Sequence, residues 1–237
     1  MRDNFKSEEY YKKLYEQDTR FLEFNESTLK NVIEEKGENF ETIPSCYHGI
    51  ANKCYHRLYL GYTMGKTYRE LLPDARKYIE NGIESCTGSP YGVLESIIFV
   101  AIVFNLQEYK DAIKETMIKY KDYRDKYMEE IYQLLDPEFV ITSEVFYWEK
   151  EYIAIDEIIS ISKTDKDAGI KALKKYVDKQ WFKTLNDGMI RKSDPSYRGF
   201  WCIEAAALVK ALKLDDRELK DSKYYPYDMA HFCDRIS

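Results

Sequence analysis

Apolar side chains recur every three or four residues along most of the chain, which is the spacing of an amphipathic α-helix. One apolar face of this kind begins just after Pro44. It consists of Cys46, Ile50, Cys54 and Leu58. Residues 91–106 are instead apolar on nearly every side, which predicts a helix in the centre of the fold. Similar patterns predict further helices over residues 4–24, 68–83, 108–120, 122–135, 153–161 and 166–181.

Capping and breaking residues predict where these helices begin and end. After the first helix ends near residue 24, a second is expected to run from Asn25 or Ser27 to Gly37. Asn25 is the candidate cap, and Gly37 is expected to end the helix in the left-handed conformation. The pair Asp136–Pro137 stops the helix before it. The pair Asp194–Pro195 is expected to begin a helix that carries Trp201, because an acidic N-cap followed by proline favours a helix start.

These elements predict an all-α fold, a bundle of stacked antiparallel helix pairs. No segment alternates apolar and polar residues long enough to require a strand, and residues 139–145 come closest. We divide the chain into two small helical domains that pack together, residues 1–121 and residues 122–237. Helix pairs of this length are also typical of helical repeats, but no signature recurs at a fixed period.

Composition favours a folded cytoplasmic protein that binds another protein. The 237 residues are 44% hydrophobic and 33% charged, with a net charge of −6. An acidic chain is poorly suited to the phosphate backbone of nucleic acids but suits a basic protein partner. The N-terminus leads into a charged helix rather than a signal peptide, and the apolar run at residues 93–104 is too short to span a bilayer. The five cysteines are therefore expected to be reduced.

The motifs that would indicate catalysis are incomplete. Residues 61–67 resemble a phosphate-binding loop, but only three residues separate the first glycine from Gly-Lys-Thr, where four are needed, and the segment follows a helix. His48 and His56 are eight residues apart, whereas a zinc pair on a helix is four apart. Adjacent acids such as Glu129–Glu130 are expected on a solvated helix face. We therefore predict no catalysis, no cofactor and no metal.

Two strings in the last third of the chain are distinctive. They are RGFWCIEAAALVK at residues 198–210 and YYPYD at residues 224–228. Together they resemble the C-terminal domain of the PoNi family, immunity proteins for polymorphic-toxin DNases. The N-terminus, in which Met1-Arg2-Asp3 leads toward Tyr10-Tyr11, is similar to the smaller domain that accompanies it.

The resemblance implies an immunity protein that binds a secreted antibacterial DNase toxin in the cytoplasm. It would neutralise the toxin by occluding its active site or its DNA-binding surface. The matching positions are expected to hold the fold rather than to touch the toxin. They are Arg198, Gly199, Trp201, Glu204, Ala205, Asp215, Tyr225, Pro226 and Asp228. Glu204 is expected to bond the backbone of the Tyr-Pro-Tyr tail.

Toxin contacts are expected where aromatic residues stand among acids, because tight capture of a basic surface uses aromatic anchors with carboxylates around them. The predicted contact residues are Glu144, Tyr147, Trp148, Glu149, Glu151 and Asp156. Alternatively, Tyr147 and Trp148 pack the two halves of the chain together.

Two other functions fit an all-α chain of this kind. One is a helical-repeat-like adaptor that binds a peptide or protein in a groove between stacked helices. The other is a small hydrolase, in which His48 or His56 and carboxylates would converge in a helical pocket. An open acidic surface bearing aromatic side chains favours the immunity protein over both.

Overall fold

The structure is a computed structural model that describes residues 1–86, 91–120, 124–147, 149–185 and 195–232. For residues 149–151, 184 and 185 it describes the backbone only. Every regular element in these ranges is helical, which confirms the all-α fold. None of the described helices is both long and apolar enough to cross a membrane.

The helices follow one another with short connections. In chain order they are α1 (Glu8–Lys36), α2 (Ile43–Thr63), α3 (Tyr68–Ser85), α4 (Tyr91–Phe104), α5 (Lys110–Lys119), α6 (Lys126–Leu135), α7 (Glu149–Thr164), α8 (Lys166–Lys175), α9 (Phe182–Leu185), α10 (Ile203–Leu212) and α11 (Tyr227–Ala230). A π-helical stretch, Tyr176–Trp181, connects α8 to α9, and single 3₁₀ turns occur at Gln107–Tyr109 and Arg217–Leu219.

The chain forms two compact units. The N-terminal unit comprises Met1–Ile97 and Pro195–Gly199, and the C-terminal unit comprises Ile98–Asp194 and Phe200–Ser237. The domain boundary predicted between residues 121 and 122 falls within residues 121–123, outside the described part of the chain, and stays a prediction.

Helix α1 is continuous, so the break expected near Asn25 is wrong. Ser7 caps its start by accepting a hydrogen bond from the backbone N–H of Tyr10 at 3.1 Å. Farther along, the hydroxyl of Thr28 bonds the carbonyl of Phe24, four residues back, a bond that leaves the helix uninterrupted. Gly37 ends α1 as predicted and has a positive φ of +86°, but its ψ of 163° differs from that of the left-handed helical conformation that was expected.

In the N-terminal unit, helix α2 packs against both α1 and α3. The residues that resemble a phosphate loop form the corner between α2 and α3. A Cβ at Gly61 would lie 2.6 Å from a methyl group of Leu71, so the glycine lets the two helices approach closely. Across the same pair of helices, the Arg57 guanidinium bonds the buried Asp74 carboxylate at 3.0 Å.

Residues 195–199 also belong to the N-terminal unit, and they are not helical. The prediction that a helix starts at Asp194–Pro195 is therefore wrong for residues 195–199. Asp194 itself lies outside the described residues. Arg198 bonds Asp18 of α1 through two nitrogens, at 3.0 and 3.1 Å, and Gly199 has φ of +98°. These contacts hold the segment out of a helix, so α10 begins only at Ile203, and Trp201 precedes it.

In the C-terminal unit α7 packs on α8, and α10 packs on α6, α7 and α11. The approach of α7 to α8 depends on Gly169, where a Cβ would lie 2.9 Å from the Cα of Ser162. Alanines 205–207 of α10 are fully buried, which allows its neighbours to pack closely.

Candidate binding surface of the C-terminal unit

Residues 137–147, which follow α6 and are called here the α6–α7 segment, present apolar side chains to solvent. Val140 is 71% exposed, Val145 56% and Tyr147 48%, and Glu138 and Glu144 are exposed between and beside them. Large apolar side chains in this number on one short segment are unusual for a surface that contacts only water. The segment is therefore the candidate binding surface.

A buried carboxylate fixes the middle of the α6–α7 segment. Glu129 of α6 has no exposed surface, and it accepts hydrogen bonds from the backbone N–H groups of Thr142 and Ser143, the latter at 2.9 Å. It also accepts from the Thr142 hydroxyl at 3.1 Å and pairs with Arg124. Burial raises the pKa of Glu129, but the N–H donors and Arg124 outweigh it and hold the pKa below its ordinary value.

A second buried acid fixes the end of the segment. One carboxylate oxygen of Asp125 caps α6 by accepting from the N–H of Met128 at 2.9 Å, and the other accepts from the N–H of Tyr147 at 3.0 Å. The first helical residue, Lys126, donates its own N–H to the carbonyl of Val145 at 2.8 Å. The backbone of the segment is thus attached to α6 while its apolar side chains remain outside.

A cluster of charged side chains joins α6 to α7. The Lys126 ammonium lies 3.2 Å from Asp156 and 3.4 Å from Glu130. Burial and the nearby Asp156 carboxylate raise the pKa of Glu130 and Lys126 opposes them, so that the pKa is about 7. Oε2 of Glu130 is buried without a hydrogen-bond partner in the described part of the chain.

The structure brings together only part of the predicted contact set. Glu144 and Tyr147 are exposed on the α6–α7 segment. Asp156 is only 15% exposed at its side chain and belongs to the cluster with Lys126. Trp148 lies outside the described residues, as do the side chains of Glu149 and Glu151.

Sequence reasoning missed the residues that shape this surface. The pair Glu129–Glu130 was expected on a solvated face, and this is wrong because both residues are buried. The exposed Val140 and Val145 were also overlooked, although residues 139–145 had given the nearest approach to a strand pattern. Asp125 could have been recognised as an N-cap, because an N-cap aspartate accepts from the N–H three residues later, here that of Met128.

The motif residues of α10 and its surroundings are mostly buried. Trp201, Ala205, Tyr225 and Pro226 are buried, and Asp228 is half-buried. Glu204 accepts a hydrogen bond from the indole N–H of Trp181, so the expected bond to the Tyr-Pro-Tyr backbone is wrong. It is the N–H of Cys202 that reaches this tail, bonding the carbonyl of Tyr224 at 2.8 Å.

The neighbouring residues Asp215 and Asp216 make different contacts. Asp215 is exposed, pairs with the Arg217 side chain and accepts a hydrogen bond from the Arg217 N–H at 3.3 Å. Asp216 is buried and accepts from the Tyr225 hydroxyl at 2.6 Å, and it lies 3.1 Å from the His231 ring.

His48 and His56, the two histidines of the hydrolase alternative, both belong to the N-terminal unit. His56 is surrounded by Arg198, Lys53 and Asp18, and burial followed by the Arg198 charge lowers its pKa to about 4. Its Nδ1 is buried and has no hydrogen-bond partner among the described residues. No group of histidine, cysteine and carboxylate side chains in the described ranges is arranged to hold a metal.

Comparison with known proteins gives one family and one fold. Residues 123–229 match the family model described as "PoNe immunity proteins (PoNi), C-terminal". The crystal structure of protein PA2201 from Pseudomonas aeruginosa shares the fold with a TM-score of 0.62 and 15% identity, covering 92% of this chain and 87% of that chain. No curated protein sequence matches the chain.

Proposed function

We propose that the chain protects a bacterium by binding and neutralising a PoNe nuclease toxin, because residues 123–229 match the C-terminal family model of the PoNe immunity proteins. The match includes both strings that resembled the PoNi family, at residues 198–210 and 224–228, and confirms that resemblance. In this proposal the chain acts in the cytoplasm by binding rather than by catalysis.

The α6–α7 segment is the surface that we propose for the contact. It lies within the matched residues, it exposes Val140, Val145 and Tyr147, and it is held by buried acids. Residues 138–157 contain six acids and one base, Lys150. A nuclease surface that grips DNA phosphates is basic, so an acidic partner surface attracts it and speeds the encounter.

Binding at this surface would neutralise the toxin by covering its active site or the groove that holds DNA. Apolar side chains at the centre of the contact would supply most of the affinity, with acids at its rim steering association. Of the predicted contact residues, Glu144 and Tyr147 are exposed on this segment, and we expect both to contact the toxin directly.

A growth-protection experiment tests the proposal. The nuclease domain of the toxin encoded beside this chain's gene is expressed in a bacterial cytoplasm, with and without the full chain. We expect the chain to restore growth, to preserve the chromosome and to co-purify with the nuclease domain. Unrestored growth without a complex would refute the proposed function for this pair.

A matched pair of double variants tests the surface. Glu144→Lys with Tyr147→Ala should weaken toxin binding by about 30-fold or more, the effect expected of an aromatic anchor with an acid beside it. Glu23→Lys with Phe24→Ala changes an exposed acid and a 66% exposed aromatic residue of α1, and it should leave binding unchanged. Equal binding by both variants, with equal thermal stability, would exclude the α6–α7 segment as the contact.

A further inference from the structure

From Ser143 to Tyr147, the α6–α7 segment uses one edge of its backbone to bind α6. The N–H of Thr142, which also bonds Glu129, lies before this stretch. Within the stretch, the groups that reach α6 are the N–H of Ser143, the carbonyl of Val145 and the N–H of Tyr147. These are alternate residues, and alternation is the pattern of an extended strand, in which successive residues direct their N–H and C=O groups to opposite edges.

The opposite edge of this stretch has no hydrogen-bond partner among the described residues. The backbone groups of Glu144 and Phe146, the alternate residues, have no hydrogen-bond partner in the part of the chain that the structure describes. Residues 139–147 contain neither glycine nor proline and are rich in β-branched and aromatic residues, which favour strands. An open strand edge is a template on which another extended segment can pair.

The charge on this edge selects the kind of segment that can pair. Glu144 is exposed in the middle of the edge. A second copy of this chain would bring another Glu144 near it, and like charges placed opposite each other on paired strands are destabilising. A segment with lysine or arginine at that position would instead form a favourable cross-strand pair.

We infer that the α6–α7 segment binds its partner by edge-to-edge strand pairing, with an extended basic segment of the toxin aligned along Glu144 and Phe146. This inference rests on the proposed function and specifies how the same surface works. Main-chain hydrogen bonds along the edge supply affinity, and the exposed side chains of Val145 and Tyr147 supply specificity.

Site-resolved hydrogen exchange distinguishes this mode from a contact through side chains alone. The full chain is measured free and in complex with the nuclease domain of the toxin encoded beside its gene. The amides of Glu144 and Phe146 should exchange rapidly in the free protein and at least about tenfold more slowly in the complex, because each gains a hydrogen bond. The amides of Ser143 and Tyr147 are internal controls, already bonded to α6 and slow in both states.

Each other result overturns the inference. A complex in which Glu144 and Phe146 still exchange rapidly would leave the proposed function intact and exclude strand pairing. Protection that increases with the concentration of the free protein would show that a second copy occupies the edge. If no complex forms and growth is not restored, the proposed function fails and the inference fails with it.

A proline substitution provides a second test on the same edge. Glu144→Pro removes both the N–H and the charge, whereas Glu144→Ala removes only the charge. Because the Glu144 N–H bonds no described residue, both variants should fold, and Glu144→Pro should bind the nuclease domain at least about tenfold more weakly than Glu144→Ala. Equal binding by the two would exclude the pairing, and if Glu144→Pro does not fold, hydrogen exchange on the unmodified chain decides.

Discussion

Replacing Glu130 with glutamine should stabilise the C-terminal unit at neutral and alkaline pH. Glu130 is buried beside the Asp156 carboxylate, and its pKa is about 7 in the folded chain against an ordinary value of 4.5. Because the folded state holds this proton more tightly than the unfolded state, stability is lost as the pH rises from about 4.5 to about 7. Glutamine has nearly the same shape and cannot ionise.

The size of the effect follows from the two pKa values. Values of about 7 and 4.5 correspond to about 3 kcal/mol at pH 8, since one pKa unit is 1.36 kcal/mol. Roughly 2 kcal/mol of this develops between pH 5 and pH 8, because the unfolded carboxyl is already partly ionised at pH 5. Solvent screening removes little of it, because only 8% of Glu130 is exposed.

Urea unfolding followed by tryptophan fluorescence measures this difference. All three tryptophans, at positions 148, 181 and 201, belong to the C-terminal unit, so the signal reports that unit. Glu130→Gln should gain stability over the unmodified chain by about 3 kcal/mol at pH 8 and by less than about 1 kcal/mol at pH 5. Glu157→Gln removes an exposed acid of α7 and should change stability by less than about 0.5 kcal/mol at either pH. A gain that does not vary with pH, or a loss at pH 8, would refute the reasoning.

Three further substitutions test the contacts that shape the two units. Glu129→Ala should destabilise the C-terminal unit by about 3–5 kcal/mol in urea unfolding, because Arg124 and two backbone N–H groups lose their partner. A loss of stability below about 1 kcal/mol would contradict this. Gly169→Ala should lower the free energy of unfolding by about 1–3 kcal/mol because its methyl would press on the α7 backbone. Gly92→Ala, whose methyl would meet no described atom within 4 Å, should be neutral or slightly stabilising, and equal effects of the two would refute the close-approach argument. Asp18→Asn should lower the free energy of unfolding by about 3 kcal/mol, because it removes the negative charge that faces Arg198. The thermal midpoint, followed by circular dichroism, should fall accordingly, and an unchanged midpoint would show that this pair contributes nothing to stability.

The helices were predictable because their signals are local. The apolar face of α2 is visible as Cys46, Ile50, Cys54 and Leu58, and the last three are buried as expected. Gly37 ends α1, where glycine allows a positive φ. Asp136 ends α6, as expected of a residue that precedes a proline. Such signals depend on residues within about one helical turn, so the sequence alone contains them.

The errors occurred where a distant partner decides the local structure. Asp194–Pro195 has the local pattern of a helix start, but the bonds between Arg198 and Asp18, 180 residues apart, hold residues 195–199 outside any helix. Glu129–Glu130 has the local pattern of a solvated face, but Glu129 is buried because two backbone N–H groups 13 and 14 residues later need an acceptor. Periodicity carries no information about such partners.

The buried acids of α6 also explain how an irregular segment can serve as a binding surface. A flexible loop loses roughly 1–2 kcal/mol per residue of backbone freedom when a partner orders it. Asp125 and Glu129 already fix the α6–α7 segment, so this cost is met when the unit folds and not when the partner binds. The same bonds leave Val145 and Tyr147 directed outward, where they can be buried by a partner. For the proposed function, the residues that hold the surface are therefore as important as those that it exposes.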